Sequence, residues 1–539
     1  MDIFAGFPYK EIRDQQAEIL RFIKRNEDKR VFLLNAPTGV GKSGLAIAIA
    51  KYFGKNAWLL TDTKALQDQY ETEFPKDVRL IKGKSSYTCN LNRAFMVDQA
   101  PCVGHPETKK GCITRSFCDY YSAFNRAIEA KIAVTNYDFL FGLSEINNNE
   151  ITARDVVICD EGHVLEDKLV KSASFDINPR ALYEKYKVDV DPALNFLDFE
   201  DVPSVCKHIY ACIQTRLTEI ATEIAKLPET NLNSNGQRTE VNVAELRLLR
   251  VEKYLRSLTK RISSYSFEQD IENKWVTDMD EAGTVLTISP LRADELFLSY
   301  FDFKLTNDIT DSKIIIMSAT LGDPDTIISE LGLDPEYTCY IDVDTPFDPV
   351  KSPVVMIPRF KLGYKDFNYN KRALVNQIDE LLEMHENEKG IIHSGNYRVA
   401  EYIAKTTKHK DRLIFKEQGS ITSNNDLFLI HCMDDRPTVL ISPSMHTGVD
   451  LKGELSGFQI IAKLPFANLM DARVKAKMEA DKLWYSNQTW MKVIQACGRS
   501  TRTSDDESIT YILDAAVKYQ YESFKSHLPT WFKKRVQFL

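Results

Sequence analysis

The sequence predicts an α/β protein built from two parallel-sheet units, the first interrupted twice. Three observations carry this reading. An apolar run, Val31 to Asn35, feeds a glycine loop and then a helical stretch. Apolar runs alternate with helical stretches in two separate halves, which implies parallel sheets covered on both faces. The alternation breaks at a segment holding Cys89, Cys102, Cys112 and Cys118, and again in a long helical stretch after His163.

Taken in order, Leu45 to Phe53 reads as the helix after the glycine loop, Trp58 to Thr61 as the next strand and Lys64 to Phe74 as the next helix. Ile132 to Thr135 and Val156 to Cys159 are further strands. Cys206 to Leu227 and Val241 to Ser263 carry helical spacing, separated by a polar break at Asn231 to Arg238. Strand character returns at Thr284 to Ile288 and Lys313 to Met317, and the proline-rich stretch from Thr345 to Pro358 marks a boundary. In the second half the strands are Gly390 to His393, Arg412 to Phe415, Thr438 to Ile441 and Gln459 to Ala462, with helices over Tyr369 to Asn387 and Arg398 to Lys405. The expected division is 1–84, 126–164 and 284–332 for the first unit, 85–125 for the cysteine insert, 165–283 for the helical insertion and 333–539 for the second unit.

At 539 residues the chain is long enough for several domains. A formal charge of −8 excludes a globally basic nucleic-acid binder but leaves room for a local basic channel. Residues 1–14 show no basic start followed by an apolar run, and no stretch approaches the ~18 uninterrupted apolar residues of a membrane span. Ten cysteines in a chain this long are not a disulfide framework, and clustered thiols suggest metal or catalysis.

The loop from Ala36 to Ser43 places Gly39 and Gly41 where backbone must approach phosphate oxygens, beside Thr38. Lys42 can reach the β- and γ-phosphates of ATP and Ser43 can ligate Mg²⁺. Asp160 and Glu161 follow a buried-type strand, so Asp160 is suited to hold Mg²⁺ and Glu161 to polarise a water. Near the C-terminus stands Gln495-Ala496-Cys497-Gly498-Arg499-Ser500-Thr501-Arg502, whose two arginines share a helical face. They read as a finger that neutralises transition-state charge, or else as a solvated basic face.

The cysteine segment is basic and aromatic. Lys84, Tyr87, Arg115 and Tyr120 stand out among its candidate contacts to phosphates and bases. The gaps between the cysteines are twelve, nine and five residues, none of them the Cys-x-x-Cys of a typical zinc ribbon. Spacing alone leaves iron–sulfur, zinc and unligated thiols open, and His105 could replace one cysteine.

These motifs resemble the superfamily 2 iron–sulfur DNA helicases of the xeroderma pigmentosum group D (XPD) and DinG type. Phe7-Pro8-Tyr9 with Arg13 and Gln16 is similar to that family's nucleotide-recognition motif, and Thr61-Asp62-Thr63 to its motif Ia. Lys82-Gly83-Lys84 resembles the start of the cluster domain, and Val134 to Tyr137, with Asn136, the return to the motor. Asp160 to His163 resembles motif II with glycine at the third place, and Ser318-Ala319-Thr320 resembles motif III. Ser444 to Gly453, with Gly448 and Asp450, resembles motif V, and Gln495 to Arg502 motif VI. His446-Thr447 and Leu513 to Ala516 depart from the family pattern.

The resemblance implies two RecA-like P-loop motor domains, the first interrupted by a small iron–sulfur cluster domain and a mainly helical arch-type insertion. It implies a nucleotide site of Arg13, Gln16, Thr38, Gly39, Gly41, Lys42, Ser43, Asp160, Gly448, Asp450 and Gln495, with Lys42, Glu161, Arg499 and Arg502 doing the chemistry. A [4Fe–4S] cluster is implied on Cys89, Cys102, Cys112 and Cys118, Mg²⁺ on Ser43 and Asp160, and DNA contacts at Lys84, Tyr87, Arg115, Tyr120 and Asn136. The expected activity is ATP-dependent, 5′→3′ movement on single-stranded DNA with duplex unwinding. The expected setting is a cytoplasmic, nucleoid-associated monomer (host cytoplasm if viral) on single-stranded and forked DNA, without a membrane and with single-strand-binding, repair or replication proteins as partners. The competing readings are a DEAH-type RNA helicase with a zinc-stapled insert and a non-enzymatic nucleic-acid-binding scaffold with a relic nucleotide site.

Overall fold

The computed structural model describes residues 2–54, 56–100, 112, 115–146, 153–227, 243–302, 305, 312–417, 419–420, 424–443, 455–500 and 506–539. Strands β1 (Val31–Asn35), β2 (Ala57–Thr61), β3 (Val78–Leu80), β4 (Ile132–Asn136) and β5 (Val156–Asp160) open the first unit. Strands β6 (Phe175–Ile177), β7 (Trp275–Met279) and β8 (Leu286–Pro290) form a small antiparallel sheet in the order β6-β8-β7. The chain then returns to the first sheet with β9 (Lys313–Ser318) and β10 (Thr338–Asp342), completing a parallel order β10-β1-β9-β5-β2-β4-β3.

The continuous apolar runs have a direct cause. Val31 and Leu33 face one core, with Trp58, Leu60 and Val157, while Phe32 and Leu34 face the other, with Leu59, Val134 and Ile158. A strand buried on both faces has no polar side, so alternation disappears from its sequence.

Two strands of the first half differ in place from expectation, and β3 and β6 are short strands the sequence reading does not mark. Thr284 to Ile288 reads as a motor strand, yet β8 pairs antiparallel with β6 and β7 at the root of the helical insertion. Its burial alternates, and that pattern suits a one-sided sheet, not the two-sided one. β10 pairs with β1, so the first sheet runs past the expected boundary at 332 to Asp342. The insertion itself is dominated by the helices Val202–Ala225 and Val243–Ser266, which bury Ile209, Ile213, Leu255, Leu258 and Ile262 between them.

The second unit holds β11 (Val354–Phe360), β12 (Gly390–His393), β13 (Leu413–Ile414), β14 (Val439–Ser442), β15 (Phe458–Ile461), β16 (Ile509–Asp514) and β17 (Val536–Phe538). Their order is β13-β14-β12-β15-β16-β11-β17, again with parallel pairs. β11 lies inside the proline-rich boundary stretch. Pro358 has no N–H to give the ladder, and the β11–β16 register shifts between Met356 and Phe360. The two α/β units are thus as the sequence predicts.

Arg154 ties the cysteine insert to the first sheet. It is 1% exposed, and its guanidinium donates to the carbonyls of Ala127 (2.7 Å), Ile128 (3.0 Å) and Ala130 (2.6 Å) at the end of the helix Asp119–Glu129. It also stacks 4.6 Å from the Trp58 ring centroid. A cation at a helix C-terminus satisfies carbonyls that have no helical partner. Burial lowers its pKa to about 10. Among the described residues no helix is long and apolar enough to cross a membrane.

Candidate active site

The phosphate loop joins β1 to the helix Lys42–Tyr52, and Gly39 and Gly41 both take φ +85°, a left-handed conformation open to glycine. Arg13 and Gln16 hold the loop from the side of the helix Asp14–Arg25. The Arg13 guanidinium donates to the Gly39 carbonyl, and Gln16 Nε2 donates to Val40 O at 2.8 Å. A Cβ at Gly41 would meet Gln16 Nε2 at 2.5 Å, so the loop and its brace are fitted to each other. Lys42 Nζ lies 3.4 Å from Ala36 O, inside the loop that would hold phosphate.

The carboxylates stand at the end of β5. Asp160 is buried; Tyr70 Oη donates to its Oδ2 at 2.8 Å and the Glu161 N–H to its Oδ1 at 3.0 Å. Burial first, and then the Glu161 charge, raise its pKa to about 6 against the opposing pull of Lys42. A buried carboxylate whose charge is disfavoured by burial is stabilised by a divalent cation placed beside it. Glu161 takes φ +53°, a strained conformation for a non-glycine residue, which turns it out of the strand direction.

Glu161 is the start of a polar relay. His163 Nδ1 lies 2.8 Å from Ser318 Oγ and 3.3 Å from Glu161 Oε2. Ser318 Oγ in turn lies 3.5 Å from Glu161 Oε2. On the far side, Gln495 Nε2 is 2.6 Å from His163 Nε2 and 3.1 Å from Thr320 Oγ1. With Gln495 donating, His163 Nε2 accepts and Nδ1 keeps the hydrogen for Ser318 or Glu161. Gln495 sits on the helix Lys482–Cys497 of the second unit, so the relay crosses the cleft. The end of that helix touches the phosphate loop: a Cβ at Gly498 would lie 3.6 Å from Thr38 Oγ1.

Gly162, the departure in motif II, has a physical reason. A Cβ there would press deep into the van der Waals radius of Ile316 Cγ2 and lie 3.4 Å from Met317 N. Ile316 is fully buried on β9, so the isoleucine fills the space that an alanine methyl would need.

The structure thus brings Arg13, Gln16, Thr38, Gly39, Gly41, Lys42, Ser43, Asp160, Glu161 and Gln495 to one cleft, with Arg499 directly after the contacting Gly498. Gly448, Asp450 and Arg502 lie outside the described residues. The sequence reading missed Tyr70 and marked Tyr137 only as a motif member, without its contact to Asp160. Tyr137 Oη donates to Asp160 O at 2.9 Å, and neither tyrosine carries a local signal of its role. His163, Ser318 and Thr320 were legible as motif members but not as a relay.

In the cysteine insert, Cys89 and Cys118 are buried. Asp119 N donates to Asn90 Oδ1 at 3.2 Å, which sets the segment after Cys89 against the segment after Cys118. Arg115 N donates to Cys112 O at 3.1 Å and Cys118 N to Arg115 O at 3.4 Å, so Cys112 and Cys118 are joined by successive turns. Cys102 and His105 lie outside the described residues, and among the described ones no group of three or more His, Cys, Asp or Glu is set to hold a metal.

Tyr120 needs correction as a base-stacking residue. It is 1% exposed, wedged between Tyr87, Tyr121 and Phe124, because it faces inward on the helix Asp119–Glu129. Lys84 lies 5.4 Å from its ring centroid, and Arg115 lies 4.3 Å from that of Tyr121. Tyr87 Oη accepts from Lys82 N at 3.3 Å, and Asn136 Oδ1 caps the helix Tyr137–Ile146 through Phe139 N at 2.8 Å. Arg250 of the helical insertion donates to Gln99 O at 2.6 Å, joining insertion to insert.

Comparison with known proteins agrees with this geometry. The family described as "Helicase C-terminal domain" matches residues 392–535, and "Type III restriction enzyme, res subunit" matches residues 9–188. A probable ATP-dependent helicase of Methanocaldococcus jannaschii is 20% identical, covering 94% of this chain and 92% of its own length. The ATP-dependent DNA helicase YoaA of Haemophilus influenzae is 22% identical over 98% of this chain and 96% of its own. A solved XPD helicase structure superposes with a TM-score of 0.62 at 16% identity, covering 98% of this chain and 100% of that one. The two family models, end-to-end likeness to ATP-dependent helicases and an XPD-like fold together support a superfamily 2 helicase of the XPD/DinG type.

Proposed function

We propose that this chain is an ATP-dependent DNA helicase that moves 5′→3′ on single-stranded DNA and separates duplexes. The observation that carries the reading is the relay from Glu161 through Ser318 and His163 to Gln495, because it joins the hydrolytic carboxylate to the other motor unit. Hydrolysis and domain position are then one event.

ATP is held by the phosphate loop, with Lys42 leaving Ala36 O to meet the β- and γ-phosphates. Ser43 and Asp160 would hold Mg²⁺, which when bound supplies charge neutralisation on the phosphate oxygens. Glu161 takes the proton from the attacking water, and His163, fixed by Ser318 and Gln495, holds Glu161 in place. Arg499 and Arg502 would neutralise charge at the γ-phosphate, and Gly448 and Asp450 are further candidates for the nucleotide site. Product release loosens the Gln495 contacts and shifts the grip on DNA.

Cys89, Cys102, Cys112 and Cys118 would hold a [4Fe–4S] cluster, whose contribution is to cross-link a small insert that has little core of its own. Four thiolates fit the ligand count, and the Asn90–Asp119 hydrogen bond supports convergence of two of them. Lys84, Tyr87, Arg115 and Asn136 are the proposed DNA contacts, and Tyr120 supports them from beneath. Purified protein should hydrolyse ATP faster with single-stranded DNA than without it. Stimulation by RNA alone would overturn the DNA assignment.

A further inference from the structure

We propose that Arg473 and Lys477 are positioning residues: they carry the movement of the second motor unit into the helical insertion. Both sit on the helix Ala472–Ala480 of the second unit, and that helix grips three parts of the first half. Lys477 Nζ lies 2.5 Å from Glu166 Oε1 and also pairs with Glu330. Arg473 pairs with Glu166 at 2.6 Å. The third grip is on the root of the insertion, where Arg473 Nε donates to Pro290 O at 3.1 Å and Ala472 N to Asp278 Oδ2 at 3.3 Å. Pro290 ends β8 and Asp278 lies in β7.

The junction is buried and well furnished. Lys477 is 4% exposed and Glu330 7%. Trp484 Nε1 donates to Glu166 Oε2 at 3.2 Å, and Lys477 lies 4.4 Å from the Trp484 ring centroid. Glu166 and Glu330 meet Arg473 and Lys477, with Asp167 a further 3.9 Å partner of Arg473, so each buried charge has an opposite charge beside it. Separating such a cluster leaves uncompensated buried charge, whereas parting Gln495 from His163 breaks a single side-chain hydrogen bond and costs far less. Cleft motion is therefore expected to pivot about the charged junction. Whatever holds the junction must move with it: the β7–β8 root of the insertion on one side and the helix Leu165–Ala173, which begins two residues after His163, on the other. The inference uses the ATPase reading only for the ligand that drives the motion.

Fluorescence transfer between dyes at exposed positions 18 (first motor unit) and 222 (insertion) tests this in the full chain. Wild type should change efficiency when a non-hydrolysable ATP analogue and forked DNA are added. Glu166→Gln with Lys477→Met, which removes charge and keeps volume, should abolish the change and cut unwinding per ATP at least about tenfold, with hydrolysis within about threefold of wild type. Lys477→Arg should keep the response, which guards against a variant that merely unfolds. A transfer change that survives in the neutral pair, or none in wild type that hydrolyses ATP, overturns the inference. Failure of wild type to hydrolyse ATP would instead sink the proposed function.

Discussion

One added methyl tests how tightly motif II is fitted. In Gly162→Ala the new Cβ would sit well inside contact distance of Ile316 Cγ2. Carbon atoms prefer about 3.5–4.0 Å, so something must give by roughly 1 Å. Neither side yields readily. Ile316 is fully buried in β9, between β1 and β5, and position 162 is tied to a relay on its carboxyl side. Overpacking of this kind costs about 1–3 kcal/mol, against which alanine returns only about 0.4–1 kcal/mol through the unfolded chain. The net expectation is a loss of about 1–2 kcal/mol and a displaced His163. ATP turnover should fall on the order of tenfold, as the water-activating carboxylate loses its brace. Ile316→Leu removes the offending branch while conserving volume, and should cost under about 1.5 kcal/mol alone. A double-mutant cycle read by thermal melting and by ATPase rate decides the matter. If Gly162→Ala melts and turns over like wild type, or if Ile316→Leu brings no recovery, the fitted contact does not explain the glycine.

Asp160→Asn should abolish hydrolysis yet stabilise the metal-free protein at pH 7–8 by roughly 1 kcal/mol or more, measured by melting in chelator. The sign follows from a folded-state pKa near 6, above that of an unfolded aspartate: the folded protein takes up a proton as pH falls from about 6 to 4, so this carboxylate costs stability above that window and the cost fades below it. For the same reason the Mg²⁺ requirement should rise as pH falls below about 6, read by metal titration of the ATPase. Cys112→Ser should lose iron and unwinding and keep appreciable nucleotide hydrolysis, checked by iron and sulfide analysis beside both assays. Arg154→Leu strands the carbonyls of Ala127, Ile128 and Ala130, and should loosen the insert by about 3–5 kcal/mol, seen as faster proteolysis around residues 112–131.

The phosphate loop and the carboxylate pair were legible because their chemistry is local: glycines, a lysine and acids at fixed offsets after a buried strand. Strands β1, β2, β4, β5, β9, β12, β14 and β15 were legible for a related reason, since burial on two faces writes an uninterrupted apolar run, whereas β3, β16 and β17 went unread. The places of β8 and β10 were not legible either. Their half-buried patterns fit either kind of sheet, and only pairing partners distant in sequence decide which. β11 was hidden by the prolines around it. Tyr70 and the Glu166–Lys477 junction left no trace, because each depends on a partner brought close by the fold alone, Asp160 for Tyr70 and a lysine of the other motor unit for Glu166. Tyr120 was misread because an aromatic among basic residues looks the same whether its ring faces solvent or core.

The central claim is that ATP held by Lys42 drives strand separation through the cleft relay. Unwinding of forked DNA, with the tail on either strand, compared between wild type and Lys42→Ala, tests it most directly. The account predicts ATP-dependent unwinding by wild type from a 5′ tail, none from a 3′ tail, and none by the variant while its iron content stays unchanged. Unwinding by Lys42→Ala would contradict it.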